Sequence, residues 1–167
     1  MPLNTSLLLD LDATYTSPLD LSTTINTLGF TRQFNLATGT GAGQADKIWH
    51  DERTLTASSV EDLDLAGSLV DAFGTTLTFA RVKGVVVYAN PANTNNVVLG
   101  NVTNGIVAWF GAATHTISVR PGGVFAILAT DATTYTVTPG TADLLHVANS
   151  GAGTSVTYDV VVVGSSL

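Results

Sequence analysis

Four valines in a row, Val160 to Val163, and three more at Val85 to Val87 constrain this chain more than any other feature. A β-branched side chain is stiff at its first torsion and suits a pleated strand better than a helix. Successive side chains of a strand point to opposite faces, so both runs are apolar on both faces. One face can form the core of a two-layer sandwich. The other needs a second cover, which the N-terminal part of the chain or another subunit could supply. Charged residues make up only 11% of the chain, which leaves the surface poor in features that keep β proteins apart. A homo-dimer or homo-trimer is the expectation.

Strand signals recur through the rest of the chain. Val60 to Leu65, Thr76 to Phe79 and His115 to Arg120 alternate apolar and polar residues. Further candidates are 84–90, 96–99, Ile106 to Phe110, 123–129, 135–138, 143–148 and 155–164. Turn residues separate them, among them Asn90-Pro91, Asn104-Gly105, Pro121-Gly122-Gly123 and Pro139-Gly140. The reading is all-β, a jelly roll or β-sandwich of about eight or nine short antiparallel strands with an N-terminal arm. Residues 46–167 form the sandwich. Residues 1–45 form the arm or additional strands (Leu7 to Thr16 and Phe30 to Leu36), ending in a Gly-rich linker, Gly39 to Gly43. Three Leu-Asp-Leu triplets, at 9–11, 19–21 and 63–65, have irregular spacing and read as three strands rather than a repeat.

Composition removes several classes of function. The 167 residues suffice for one domain with its own core, and 45% hydrophobic content excludes disorder. Six scattered Lys and Arg residues against a net charge of −7 argue against nucleic acid. No apolar run approaches the ~20 residues of a spanning helix, so no membrane role is expected. Leu7 to Leu9 lack a cationic segment before them and are cut short by Asp10 and Asp12, so no signal peptide is read. The absence of cysteine removes disulfides, thiolate metal sites and thiol nucleophiles.

Catalytic patterns are equally sparse. No Gly-x-Ser-x-Gly elbow occurs, and His50, His115 and His146 stand apart without metal-ligand spacing. The charged stretch around His50, from Asp46 to Arg53, reads as an ordered salt-bridged loop or edge rather than an acid–base site. Gly39 to Gln44 lacks the Lys-Ser/Thr of a phosphate loop. Glu61, Asp62 and Asp64, or Asp10 and Asp12, are carboxylates that a calcium ion would need to gather from separate loops. Trp109 reads as core, and Trp49 as a half-exposed ring. Neither an enzyme nor a cofactor is expected.

Gly41 to Trp49, Asp51 to Leu55, Asp62 to Gly74, Val119 to Gly123, Gly140 to Leu145 and the Tyr158 to Gly164 ending together resemble jelly-roll head decoration, or cement, proteins of tailed bacteriophages. The resemblance covers about residues 41–164 and rests on turns and strands. It implies a non-enzymatic oligomer on the outer surface of the virion capsid, made in the host cytoplasm, whose partners are the major capsid protein and itself. Leu7, Leu8, Leu9, Trp49, Val85, Val87, Val161 and Val163 are the residues expected at such interfaces. The alternative is a tail-fibre or receptor-binding module that recognises host glycans, for which an exposed Trp49 would be the first sign.

Overall fold

Twelve strands and one turn of 3-10 helix succeed one another along residues 2–167, which this computed structural model describes. They are β1 (Thr5–Pro18), β2 (Thr23–Thr38), β3 (Gln44–Ala45), β4 (Lys47–Leu55), β5 (Val60–Asp64) and β6 (Arg81–Ala89). Then follow β7 (Val97–Gly100), the 3-10 turn (Val107–Trp109), β8 (Thr116–Val119), β9 (Val124–Leu128), β10 (Tyr135–Thr136), β11 (Leu144–Asn149) and β12 (Val156–Ser165). The protein is all-β.

Two sheets enclose one core. The first has the order β10-β6-β12-β4, with β9 also paired to β6, and the second has the order β5-β11-β7-β8. Every pairing in both is antiparallel. The valine-rich strands β6 and β12 lie side by side in the first sheet, with Val162 opposite Val85 and Val160 opposite Val87. These four face inward and meet Leu63, Leu99, Leu145 and Val147 of the second sheet. Between Val163 and Gly164 the ladder slips by one residue, and Lys83 is the extra residue of the resulting bulge. Its ammonium donates to the Asp131 carbonyl, and burial holds its pKa below the ordinary lysine value.

β1 and β2 form a hairpin paired over the whole of β1, from Thr5 with Leu36 to Pro18 with Thr23. It stands away from the sandwich and is joined to it at its root, where Ala37 and Thr38 pair with Gln44 and Ala45 of β3. The Gly-rich run expected as a linker is a hydrogen-bonded loop. Ala37 N donates to the Gly43 carbonyl, Gly43 N to the Thr130 carbonyl, and Gly41 N to Gln44 Oε1 at 2.9 Å. Gly43 adopts a positive φ of 65°, which suits glycine in so tight a reversal.

Several expected elements differ. Ile106 to Phe110 is a 3-10 turn rather than a strand. The turn carries Trp109 into the core, where its ring meets Phe110 and Tyr135 edge-on at 6.3 and 6.1 Å. Thr76 to Phe79 buries Leu77 and Phe79 by alternation, yet joins no ladder beyond a single bridge from Thr76 to Val70. The charged stretch 46–53, read as a loop or an edge, is an edge: it lies mostly in β4, the outermost strand of the first sheet. Charge along an edge strand discourages a further strand from pairing there. Of the three Leu-Asp-Leu triplets, 9–11 lies in β1 and 63–65 at the end of β5, while 19–21 is the hairpin tip.

Candidate docking site on the arm and the outer sheet face

In the β1–β2 hairpin, residues directly opposite one another share a face. Leu7, Leu9, Leu11, Ala13 and Tyr15 therefore lie on the same face as Phe34, Arg32, Phe30, Leu28 and Asn26. The reverse face carries Ser6, Asp10, Thr14 and Thr16 against Asn35, Thr31, Thr27 and Ile25. Thr31 donates to Asp10 at 2.6 Å and Gln33 to Ser6 at 3.0 Å, which ties this polar face together. The arm is an amphipathic ribbon. Its apolar side is open to solvent: Leu9 and Leu11 are each 54% exposed, Tyr15 76% and Leu28 52%. Arg32 is the single cation of this side, and its guanidinium sits 4.5 Å from the centre of the Phe30 ring.

At the root the same face turns onto the sandwich. Leu7, Phe34 and Leu36 stand over the outward side of the first sheet and enclose with it an apolar groove of about 330 Å³. The floor follows from the strand register. One row runs Leu128, Gly84, Val163, Ile48 across β9, β6, β12 and β4, and the next runs Ala126, Val86, Val161, His50. The cover demanded by the two-sided valine runs is thus supplied in part by the chain's own arm. Beyond Val161 the outward face opens into a basin of about 850 Å³, which shares Ile48 and Val161 with the groove and is flanked by Pro2 and Leu3 of the chain's own N-terminal segment. Asp159 and Glu52 lie directly opposite one another in the third row, and Val70 and Phe73 rise from the neighbouring loop. Phe73 is 74% exposed.

The residues expected at interfaces divide between the two sides of the sheet. Leu7, Val161 and Val163 line the groove. Leu9 lies on the apolar face of the ribbon, and Leu8, one residue out of phase, on its polar face. Val85 and Val87 are 1% and 0% exposed and belong to the core; the outward residue between them is Val86. Within an all-valine run nothing local distinguishes one face from the other, and a shift of one residue exchanges them. Trp49 is also buried, opposite Val162 in the core, and does not present a stacking ring to solvent. Sequence reasoning missed Arg32, Phe30, Leu11 and Tyr15, although the alternation from Leu7 to Tyr15 already carried the signal.

No family model, no curated protein and no solved structure matches the chain.

Most of the groups considered for chemistry have structural partners. Glu61 accepts from Arg53 Nε at 3.0 Å and from the Tyr158 hydroxyl at 2.7 Å. Asp62 pairs with His146 Nδ1 at 2.5 Å, and Asp64 Oδ1 accepts from Ala66 N at 2.7 Å. His115 Nδ1 lies 2.9 Å from the Phe110 carbonyl, while His50 sits exposed on the outer face of β4. Among the described residues no three His, Asp or Glu side chains converge on one point. The arrangement suits docking of a large apolar surface.

Proposed function

We propose that this chain is a structural, non-enzymatic subunit of a virion: a self-associating β-sandwich of the head-decoration type, which binds the major capsid protein on the outer surface of a phage head and braces the shell. The observation that carries the reading is the arm. A two-stranded ribbon is at best marginally stable in water by itself, and here it holds an apolar face to solvent. Such an element gains its stability from what it lies against, which is the economy of an assembly protein rather than of an enzyme. A ligand that binds only the assembled state lowers that state's free energy by mass action, and a decoration protein stabilises a shell in this way.

The test is the protein's copy number in purified virions, measured by quantitative mass spectrometry against the major capsid protein. A number equal to that of the capsid protein, or a simple fraction of it, is expected. A few to a few dozen copies would move the chain to the tail or neck and favour receptor binding. Absence from the particle would overturn both.

A further inference from the structure

The uncovered half of the first sheet and the uncovered face of the arm match one another in chemistry. We propose that two copies of this chain exchange arms, the apolar face of each ribbon lying across the outer sheet face of the other copy, with Arg32 set against Glu52 and Asp159. This deepens the assembly reading above by naming the partner and the surface.

Three observations select a second copy as the occupant. The first is charge. Arg32 is the only cation on the arm's apolar face, while Glu52 and Asp159 stand opposite one another and neither takes part in an ion pair among the described residues. Like charges directly opposite on a sheet face are destabilising, and a guanidinium between them reverses the sign. The second is continuity. The chain's own arm root already packs on this sheet face over Val163, and the basin beyond Val161 continues the same surface. A neighbour's ribbon extends a layer that the fold has begun, with Phe30 and Leu11 available to Val161 and Phe73.

The third is area. The free stretch from Leu9 to Pro18, at ~3.3 Å per residue and about 10 Å across for two strands, presents roughly 330 Å² per face. Ribbon stacked on ribbon would bury about 660 Å² in total, well short of the ~1,200 Å² at which specific interfaces begin. Reciprocal exchange, with two arms each on a partner's body, doubles the figure to about 1,300 Å² and reaches that range. The polar faces of both ribbons, with Asp10 and Asp12, stay in water.

The chain contains no cysteine, so engineered thiols report only the contact they are placed to test. One batch carries Arg32→Cys and another Asp159→Cys, both at exposed positions. Mixed and oxidised, the two should yield a disulfide-linked heterodimer as the main cross-linked product, since a disulfide forms only where the two Cα atoms approach within about 7 Å. Light scattering of the unmodified protein should give twice the 17.2 kDa chain mass, and Arg32→Glu should halve it. Adding Glu52→Arg and Asp159→Arg to the Arg32→Glu chain should restore the doubled mass. An Arg32→Cys homodimer as the dominant product would mean ribbon-on-ribbon contact and overturn the exchange. An unmodified protein of single-chain mass would overturn it as well. Absence from virions, by contrast, would refute the proposed function and leave the cross-link untouched.

Discussion

The hydroxyl of Tyr158 donates to Glu61 Oε1 at 2.7 Å and so ties β12 of one sheet to β5 of the other. Arg53, on β4, reaches the second carboxylate oxygen through Nε at 3.0 Å and also through Nη2. Three strands therefore meet on one carboxylate at the rim of the core. Burial, followed by the hydrogen bond to Glu61 and its charge, holds the Tyr158 phenol well above its ordinary pKa. The native state keeps the proton, whereas the unfolded chain releases it near pH 10. This contribution to stability is fully present below about pH 10 and is lost as the pH rises further. Tyr158→Phe should cost about 2 kcal/mol at pH 7, the worth of one hydrogen bond to a charged group, and should flatten the alkaline decline. Urea melts of both proteins at pH 7 and pH 11 measure each part; an unchanged alkaline slope in the variant would refute the assignment.

Val162 is fully enclosed between Val85 and Trp49, facing the second sheet. Val162→Asp places a carboxylate there without a partner, and burying an unpaired charge costs more than a domain of this size can spare. The variant should appear in the insoluble fraction or, once refolded, lack a cooperative thermal transition. A soluble variant with a sharp transition would show that the inner face has been assigned wrongly.

Gly164 occupies the bulge at the end of β12. A Cβ there would lie 2.1 Å from the Arg81 carbonyl oxygen and 2.7 Å from a ring carbon of Phe79. Backbone cannot yield as the end of a flexible side chain can, so Gly164→Ala should destabilise by roughly 3 kcal/mol, at the upper end of ordinary overpacking. Gly43→Ala forms the comparison, since nothing lies within 4 Å of its added methyl and only the positive φ opposes it. Its cost should stay near 1 kcal/mol. Differential scanning calorimetry should rank the two in that order.

Excision of the ribbon separates its role from that of the sandwich. Leu36 is buried, and Ala37 and Thr38 pair with β3, so removal of the first 40 residues would also damage the root. A cleaner cut joins Leu8 to Gln33, which face one another in the hairpin, through a two-residue Asn-Gly turn and so keeps Leu7, Phe34 and Leu36 on the sheet. The shortened chain should melt within a few degrees of the full one and should lose self-association. Loss of the cooperative melt would mean that the ribbon belongs to the fold.

Fold class was legible in the sequence because period-two alternation and turn residues are local signals. Val60 to Asp64, Val97 to Gly100, Leu144 to Asn149 and Val156 to Ser165 became strands close to where their patterns placed them. The two-sided valine runs likewise announced that one sheet would need two covers. Their inward face was not legible. Val85 and Val86 are chemically identical, and only pairing with β12 and closure over Leu99 and Leu145 decide which one meets the core. The charges of β4 read locally as a loop or an edge, and only the ladder supplied by β12 decides for the edge. Arg32 stands on the apolar face of an arm whose root docks beside Val163, and the Glu52–Asp159 pair lies further along the same surface. No local pattern could set Glu52 opposite Asp159 or seat the arm root beside Val163, because these residues lie far apart in the chain and only strand pairing makes them neighbours. The sequence determined that the chain is built of strands; the pairing of those strands decided which side chains remain for a partner.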